Sequence, residues 1–174
     1  MLPDPLHPAV IHLPIALAVL IPFFAILGTG LIYKNFLPAR SWVLIVLLQA
    51  MLVGSGWVAF ETGEHEEDRI EHIVAEDLIE EHEEGAERFL LLAGLGLLAS
   101  GAGLLSGRAG STGRIIGSAV TIVVLATAAS VGHSGGELVY KHGAANAYIE
   151  DAAANASASS NRPIHHDQKD EDDD

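Results

Sequence analysis

The stretch that decides the fold is residues 6–17, LHPAVIHLPIAL, which opens an apolar run ending near Tyr33. It carries two histidines, His7 and His12, where a hydrophobic helix would enter a bilayer. An ionisable side chain at such a boundary is costly unless it is solvated or used in function. The stretch therefore predicts a membrane helix whose functional side chains lie where the helix enters the bilayer.

Three more apolar runs follow, each near the roughly 20 residues that cross a bilayer as a helix. The four predicted spans cover residues 8–33, 42–60, 89–105 and 115–131. Nearly half of the 174 residues are hydrophobic, at 49%. The predicted fold class is therefore all-α, an integral membrane four-helix bundle over residues 1–143, with the lipid bilayer as its first partner.

Charge is segregated along the chain, although the net charge is −14. Lys34 and Arg40 lie between the first two spans, Arg108 and Arg114 lie between the last two, and neither connection contains an acidic residue. Short loops rich in Lys and Arg stay in the cytoplasm. Both termini and the long second connection are therefore predicted to lie outside.

The second connection, residues 61–88, is predicted to be an acidic helical segment outside the membrane. Its apolar residues follow helical spacing along one stripe: Ile70, Ile73, Val74 and Leu78. If the helix continues through Gly63, its opposite face carries Glu61, His65, Asp68, His72 and Glu76. Residues 144–174 are rich in Ala, Asn, Ser and acidic side chains, which predicts a disordered external tail.

Small residues recur at every fourth position in the third and fourth spans, as in Ala128, Gly132 and Gly136. Such spacing lets helix backbones approach closely in lipid. It fits either packing within the bundle or a homo-oligomer formed through small-residue helix faces. Trp42, near the start of the second span, is predicted to anchor that span at the interface.

Several function classes have no support in this sequence. The chain has no cysteine, which excludes disulfides, thiolate metal sites and c-type haem attachment. It also lacks a Ser/His/Asp order, a phosphate-binding glycine loop and a basic patch for nucleic acid. No reaction can be assigned, so the question of an enzyme stays open.

The opening HPAVIHLPIAL, a histidine before the third span, and the closing GGELVYKHG resemble a bacterial family of four-span membrane proteins of unknown function. The resemblance covers residues 6–143. It implies that the family's histidines correspond to His7, His12, His82 and His142. It also implies a bacterial inner membrane location with both termini in the periplasm. Some relatives are joined to cytochrome c-like modules, which implies a redox setting.

Histidine is a haem axial ligand and a common metal ligand, and four-helix bundles build cofactor sites from facing helices. A b-type haem needs two imidazoles and an apolar slot. His12 and His82 meet these needs because both precede apolar helices at the external side, with His7 and His142 as supporting groups. The alternative cofactor is a transition-metal ion bound by imidazoles and carboxylates, for which the candidate ligands are His65, His72, His133 and Glu61.

A third hypothesis belongs to another class of protein. The chain would be a non-catalytic accessory or assembly subunit, and its acidic external face would dock a basic redox partner such as a cytochrome, or a larger membrane complex. Clustered charge accelerates and orients such encounters.

Overall fold

The structure is a computed structural model that describes residues 6–149 and 153. Its helices are α1 (His7–Val10), α2 (His12–Tyr33), α3 (Val43–Ile70), α4 (Glu76–Ala102) and α5 (Gly107–Tyr140), with a short 3-10 helix over Ala39–Trp42. Four segments are long and apolar enough to cross a membrane: His7–Tyr33, Ala39–Ile70, Glu76–Ala102 and Gly107–Tyr140. The predicted all-helical four-span fold is confirmed.

The long helices form a ring in chain order. Helix α2 packs on α3 and α5, and α4 packs on the same two helices. All four contribute to the central apolar core, which includes Leu17, Leu52, Phe89 and Val124. Many large apolar side chains on the outside stay exposed, as a surface facing lipid requires. The arrangement leaves two ends of the bundle that differ in charge, one basic and one acidic.

A turn at Ile11 separates α1 from α2. Pro14 has no backbone N–H and so cannot donate to the carbonyl of Val10, which removes one helical hydrogen bond at this level. The backbone stays helical at Ile11, with φ −59° and ψ −21°, and the N–H groups of Ile11 and Ile15 donate to the carbonyls of His7 and Ile11. Helix α1 packs on α3, which places His7 against that helix.

The acidic connection consists of the ends of two long helices. Helix α3 continues through Gly63 to Ile70, the chain turns over residues 71–75, and α4 begins at Glu76. The five-residue polar face predicted from Glu61 to Glu76 is therefore split, because His72 lies in the turn and Glu76 on the next helix. The turn buries Val74 with Ile79, Leu138 and Ala144, which gives a physical reason for the reversal.

The basic end, called the inner end in the orientation that the loop charges predict, is tightly packed. Trp42 is fully buried and donates its indole N–H to the Ser100 carbonyl at 2.8 Å, so it is not the interfacial anchor that we predicted. Arg114, predicted in a loop, lies on α5, is buried, and donates to the Gly103 carbonyl at 2.6 Å. Both polar groups are paired inside the bundle, as burial requires.

The segment after α5 folds back over the acidic end, called the outer end in the predicted orientation. Gly143 has a φ of +77°, which allows the reversal, and the Ala144 N–H donates to the Leu138 carbonyl at 2.9 Å. Residues 145–149 are helical, and Ala144 and Ala147 are buried. The predicted tail boundary at residue 144 is thus too early by at least six residues. The rest of that predicted tail, 150–152 and 154–174, lies outside the described residues.

Candidate functional site

A cavity of about 560 Å³ lies at the acidic end of the bundle, which the loop charges predict to be external. Its floor lies at the level of the apolar spans and is formed by residues such as Gly56, Phe89 and Ala128, whereas Glu64 and Glu83 belong to its acidic rim. Small-molecule and cofactor sites occupy roughly 300–1,000 Å³ and are mostly apolar with a few placed polar groups. Size and lining both fit such a site. Three of the predicted histidines, His7, His12 and His82, line it.

His7 is held against α3. Its Nδ1 lies 2.8 Å from the carbonyl oxygen of Ala59, and a carbonyl can only accept a hydrogen bond, so Nδ1–H is the donor. This bond fixes the tautomer of the neutral ring and leaves a lone pair on Nε2. Nε2 has no hydrogen-bond partner in the described part of the chain.

His82 is held against α5 by a similar bond. Its Nδ1 lies 2.8 Å from Oγ of Ser134, and that hydroxyl lies 3.0 Å from the Val131 carbonyl. The single hydroxyl proton is needed for the carbonyl, so Ser134 accepts from Nδ1–H of the imidazole. The neutral His82 ring therefore also carries its lone pair on Nε2.

Glycines make room for both imidazoles. A Cβ at Gly63 would lie 3.2 Å from Cε1 of His7, and a Cβ at Gly135 would lie 2.9 Å from Cε1 of His82. Each ring thus rests on the backbone of its neighbouring helix, α3 for His7 and α5 for His82. These helices are diagonal in the ring, and the two imidazoles are close enough to interact electrostatically. The cavity is therefore flanked by two fixed imidazoles.

Glu66 ties three segments together at the rim. One carboxylate oxygen accepts the N–H groups of Leu6 and His7, at 2.7 and 3.0 Å, and the other accepts the Tyr148 hydroxyl at 2.6 Å. Hydrogen bonds to a charged acceptor are stronger than neutral ones. Glu66 therefore fixes the start of α1, which carries His7, and the segment that folds back after α5.

The other two predicted cofactor ligands are placed differently. His12 is exposed at the side of the cavity, and its ring has no hydrogen bond to the residues that the structure describes. His142 lies beyond α5, is partly buried, and is not among the cavity's lining residues. The partner that the structure brings to His82 is His7 rather than His12, because the His7 ring is held on α3 whereas His12 is exposed at the side of the cavity.

The predicted metal ligands are not brought together. Glu61 and His65 are exposed on α3, and the His65 ring donates to the carbonyl of Glu61 at 3.0 Å. His72 lies in the turn, and His133 lies on α5 with Nε2 3.9 Å from a Glu137 carboxylate oxygen. Among residues 6–149 and 153, no group of three His, Asp or Glu side chains could hold a metal ion.

A family model described as "Predicted membrane protein (DUF2231)" matches residues 3–148. The chain belongs to the DUF2231 family. The match covers the bundle and the fold-back segment together, and it confirms the resemblance to a family of membrane proteins of unknown function. No curated protein and no solved structure matches this DUF2231 chain.

Sequence reasoning did not find three residues that shape this DUF2231 site. Glu66 is one of many glutamates in its region, and nothing in its spacing marks it out. The carbonyl of Ala59 carries no sequence signal. Ser134 was visible only as part of the run GHSGGE after the fourth span, where a polar residue between glycines is a usable hint.

Proposed function

We propose that this protein is a membrane-embedded redox protein that holds a b-type haem between His7 and His82 at the external end of its bundle. The observation that supports this function is the pair of anchored imidazoles flanking one apolar cavity. In each ring Nδ1–H is bonded to protein, so Nε2 is the atom left for an iron. When bound, the haem would supply one-electron transfer.

A haem fits this donor set better than a bare metal ion does. A b-type haem would need only two nitrogen donors from the protein, which Nε2 of His7 and Nε2 of His82 would supply. A bare transition-metal ion instead needs several protein donors. Because the described residues offer no group of three such donors, the proposal favours haem over the metal ion.

The rim affects how a haem would be retained. No lysine or arginine lines the cavity in the described chain, whereas Glu64, Glu67 and Glu83 do. The haem propionates would therefore gain no ion pair there. Retention would depend on ligation by the two imidazoles, so the loss of either one should release the cofactor.

The test is a spectrum of the purified full-length protein, oxidised and then reduced with dithionite, together with elemental analysis. We expect the absorption bands of a b-type haem in the wild type and their loss in His7→Ala and in His82→Ala. The exposed His65→Ala and His133→Ala are matched controls that should keep the haem. Full occupancy in the His7→Ala, His82→Ala double variant would refute the assignment.

The proposal includes an orientation in a bacterial inner membrane, with the haem end in the periplasm. Lys34, Arg40 and Arg108 are exposed at the end of the bundle opposite the cavity, which the positive-inside rule assigns to the cytoplasm. Single cysteines at the exposed positions Asn35 and Glu71 test this orientation. A membrane-impermeant thiol reagent should label position 71 in spheroplasts and leave position 35 unlabelled. The opposite result would invert the topology.

A second candidate function is a non-catalytic accessory subunit that docks a basic partner on its acidic external surface. Glu64, Glu67, Glu80 and Glu87 all lie close enough to Glu83 to interact electrostatically with it. Crowded like charges on one surface favour a cationic partner such as a soluble cytochrome. A wild-type protein that purifies with neither haem nor metal would favour this second function.

A further inference from the structure

The cavity has an opening on its side, between the outer ends of α2 and α5. Most of its exposed lining residues fall on the two sides of this seam, with Pro8, His12 and Ile15 on one side and Gly132, Val139 and Tyr140 on the other. At the inner end the same two helices touch, and the hydroxyl oxygens of Thr29 and Ser118 lie 3.0 Å apart. The seam is therefore closed at the cytoplasmic end and open at the external end.

Two features of the sequence produce this opening. Helix α1 packs on α3, which is diagonal to α5 in the ring, and so does not fill the space between α2 and α5. On the facing helix, Gly132 and Gly136 line the cavity, and a Cβ at either position would meet nothing within 4 Å. These glycines are not used for packing within the chain, unlike Gly113 and Gly117 on the inner half of α5.

The depth of the opening determines what can enter. Ile15 lies in the first turns of α2, and Gly132 directly follows the apolar run that ends at Val131. The opening thus lies where the apolar spans meet the headgroup region. A molecule dissolved in the bilayer can reach the cavity there without passing through water.

The chemistry of the walls restricts the occupant. Apart from the anchored rings of His7 and His82, two tyrosines and the acidic rim, the walls are mostly apolar. At the edge of the opening, His12 is an exposed imidazole that can form a hydrogen bond. No lysine or arginine lines the cavity in the part of the chain that the structure describes, and the rim carries Glu64, Glu67 and Glu83. Anionic headgroups and fatty acids are repelled by this rim. The occupant is therefore a neutral, apolar molecule with a hydrogen-bonding oxygen.

We propose that the side opening between α2 and α5 binds the ring of a lipid-soluble quinone, whose tail lies in the bilayer. The ring lies between Ile15 and the notch at Gly132 and Gly136, and an oxygen on the ring pairs with the imidazole of His12. The choice of a quinone over other neutral lipids rests on the proposed redox function. The opening itself is inferred independently of that function.

The test uses the full-length protein in phosphatidylcholine nanodiscs that contain a photoreactive azidoquinone with a short alkyl tail. Labelled positions are located by mass spectrometry. We expect label on residues 8–15 and 132–140, and we expect an unreactive short-tail quinone to displace it. Diacylglycerol, a neutral lipid without a quinone ring, should not displace it.

Variants sharpen the assignment. Gly132→Leu should fill the notch and abolish labelling, whereas Gly54→Leu is the matched control, because a Cβ there also meets nothing within 4 Å but lies away from the cavity. His12→Ala should lower labelling by roughly two- to tenfold, the effect of one lost hydrogen bond. If Gly132→Leu does not fold, the labelling map of the wild type and the His12→Ala variant still test the proposed site.

Label spread over the whole lipid-facing surface, or label that diacylglycerol displaces as well as the quinone does, would overturn the proposal. Equal loss of label in Gly54→Leu would do the same. The His82→Ala variant separates this proposal from the haem site. It is expected to lose haem absorbance and to keep the quinone label, so either proposal can fail without the other.

Discussion

The inner and outer ends of the bundle use the same residue, glycine, for different purposes. At the inner end Gly113 lets two backbones touch, since a Cβ there would lie 2.5 Å from the backbone nitrogen of Gly103. At the outer end Gly63 and Gly135 face imidazole rings instead of backbone. At the inner end the helices are therefore in close backbone contact, which we call the closed base. At the outer end they are separated by imidazole side chains that are available to bind a ligand.

This difference shows that the spacing of small residues in a sequence does not by itself reveal their structural role. In lipid, close helix approach through small residues is the usual explanation. Gly113 and Gly117 follow it, because both lie against the backbone of α4. Gly135 belongs to the same helix, yet it makes room for a side chain with a free ring nitrogen. Substitutions at the two ends should therefore have separable effects on folding and on ligand retention.

The largest effect is expected from breaking the inner end with Gly113→Ala. Its Cβ would meet the backbone at Gly103 and Ala102, which cannot move aside as a side-chain tip can. We expect a loss of about 3 kcal/mol in the free energy of unfolding, the upper range for overpacking. This loss is measured by unfolding the detergent-solubilised protein with SDS and monitoring its helix content by circular dichroism.

The control for this change is Gly101→Ala on α4, where the added Cβ meets nothing within 4 Å. It should leave the free energy of unfolding within about 0.5 kcal/mol of the wild type. Equal stability of the two variants would contradict the closed base.

A smaller effect is expected from loosening the outer end with Glu66→Ala. This change removes the acceptor of three hydrogen bonds, and we expect a loss of about 2 kcal/mol, since each bond to a charged group contributes roughly 1.5–3 kcal/mol when buried and less at a partly exposed rim. Hydrogen–deuterium exchange should rise in peptides covering residues 6–15 and 140–149. The inner end should keep its protection.

Tyr148→Phe is the matched partial change, because it removes one of the three donors to Glu66. Faster exchange should then be confined to the segment after α5. If residues 6–15 also exchange faster, or if Glu66→Ala changes neither segment, the tie at Glu66 does not hold these segments in solution.

A still smaller effect on stability is expected for Gly135→Ala, although its effect on the ligand should be large. The new Cβ would press on Cε1 of His82, a ring that can turn away. We expect a loss of about 1 kcal/mol in the free energy of unfolding and a fall of tenfold or more in bound haem, since about 1.4 kcal/mol of lost binding is a tenfold change. Haem absorbance per protein reports the second quantity. Unchanged haem retention would show that the ring position at His82 is not required.

The smallest effect concerns charge on the outer surface. Reversing the exposed Glu80 and Glu81 to lysine should weaken binding of a basic cytochrome c several-fold at low salt, and should leave stability nearly unchanged because surface charges contribute about 0–1 kcal/mol. The effect should vanish near 1 M salt, where the Debye length is about 3 Å. Arg40→Glu at the inner end is the control and should not alter binding. A loss that is independent of salt would exclude electrostatic docking.

The membrane fold could be predicted from the sequence because it depends on local properties: the length of each apolar run and the charge of the loops. His82 could also be singled out, since Ile79, Ala86 and Phe89 beside it are apolar, and all three line the cavity. These predictions needed no knowledge of which helices touch.

The remaining features depend on contacts between distant residues. Trp42 looks like an interfacial anchor until Ser100 and Gly103 are known to lie beside it. The choice between His7 and His12 depends on the packing of α1 on α3 and on the hydrogen bond from the His7 ring to the Ala59 carbonyl, and neither contact has a signal in the sequence. The turn at residues 71–75 depends on burial of Val74 against Leu138, a contact with the last helix.

The long sequence separation of the imidazole anchors affects how the protein is made. The Nδ1 bond of His7 and that of His82 each reach a residue 52 positions further along the chain, and the tie from Glu66 to Tyr148 spans 82 positions. Synthesis proceeds from the N-terminus, so His7 leaves the ribosome well before its acceptor, and Ser134 is made only with the fourth span. The cavity is therefore complete only after every helix has been inserted, so the proposed haem would be loaded late. A ribosome-arrested chain that exposes residues only up to Leu125 should be inserted in the membrane and still carry no haem.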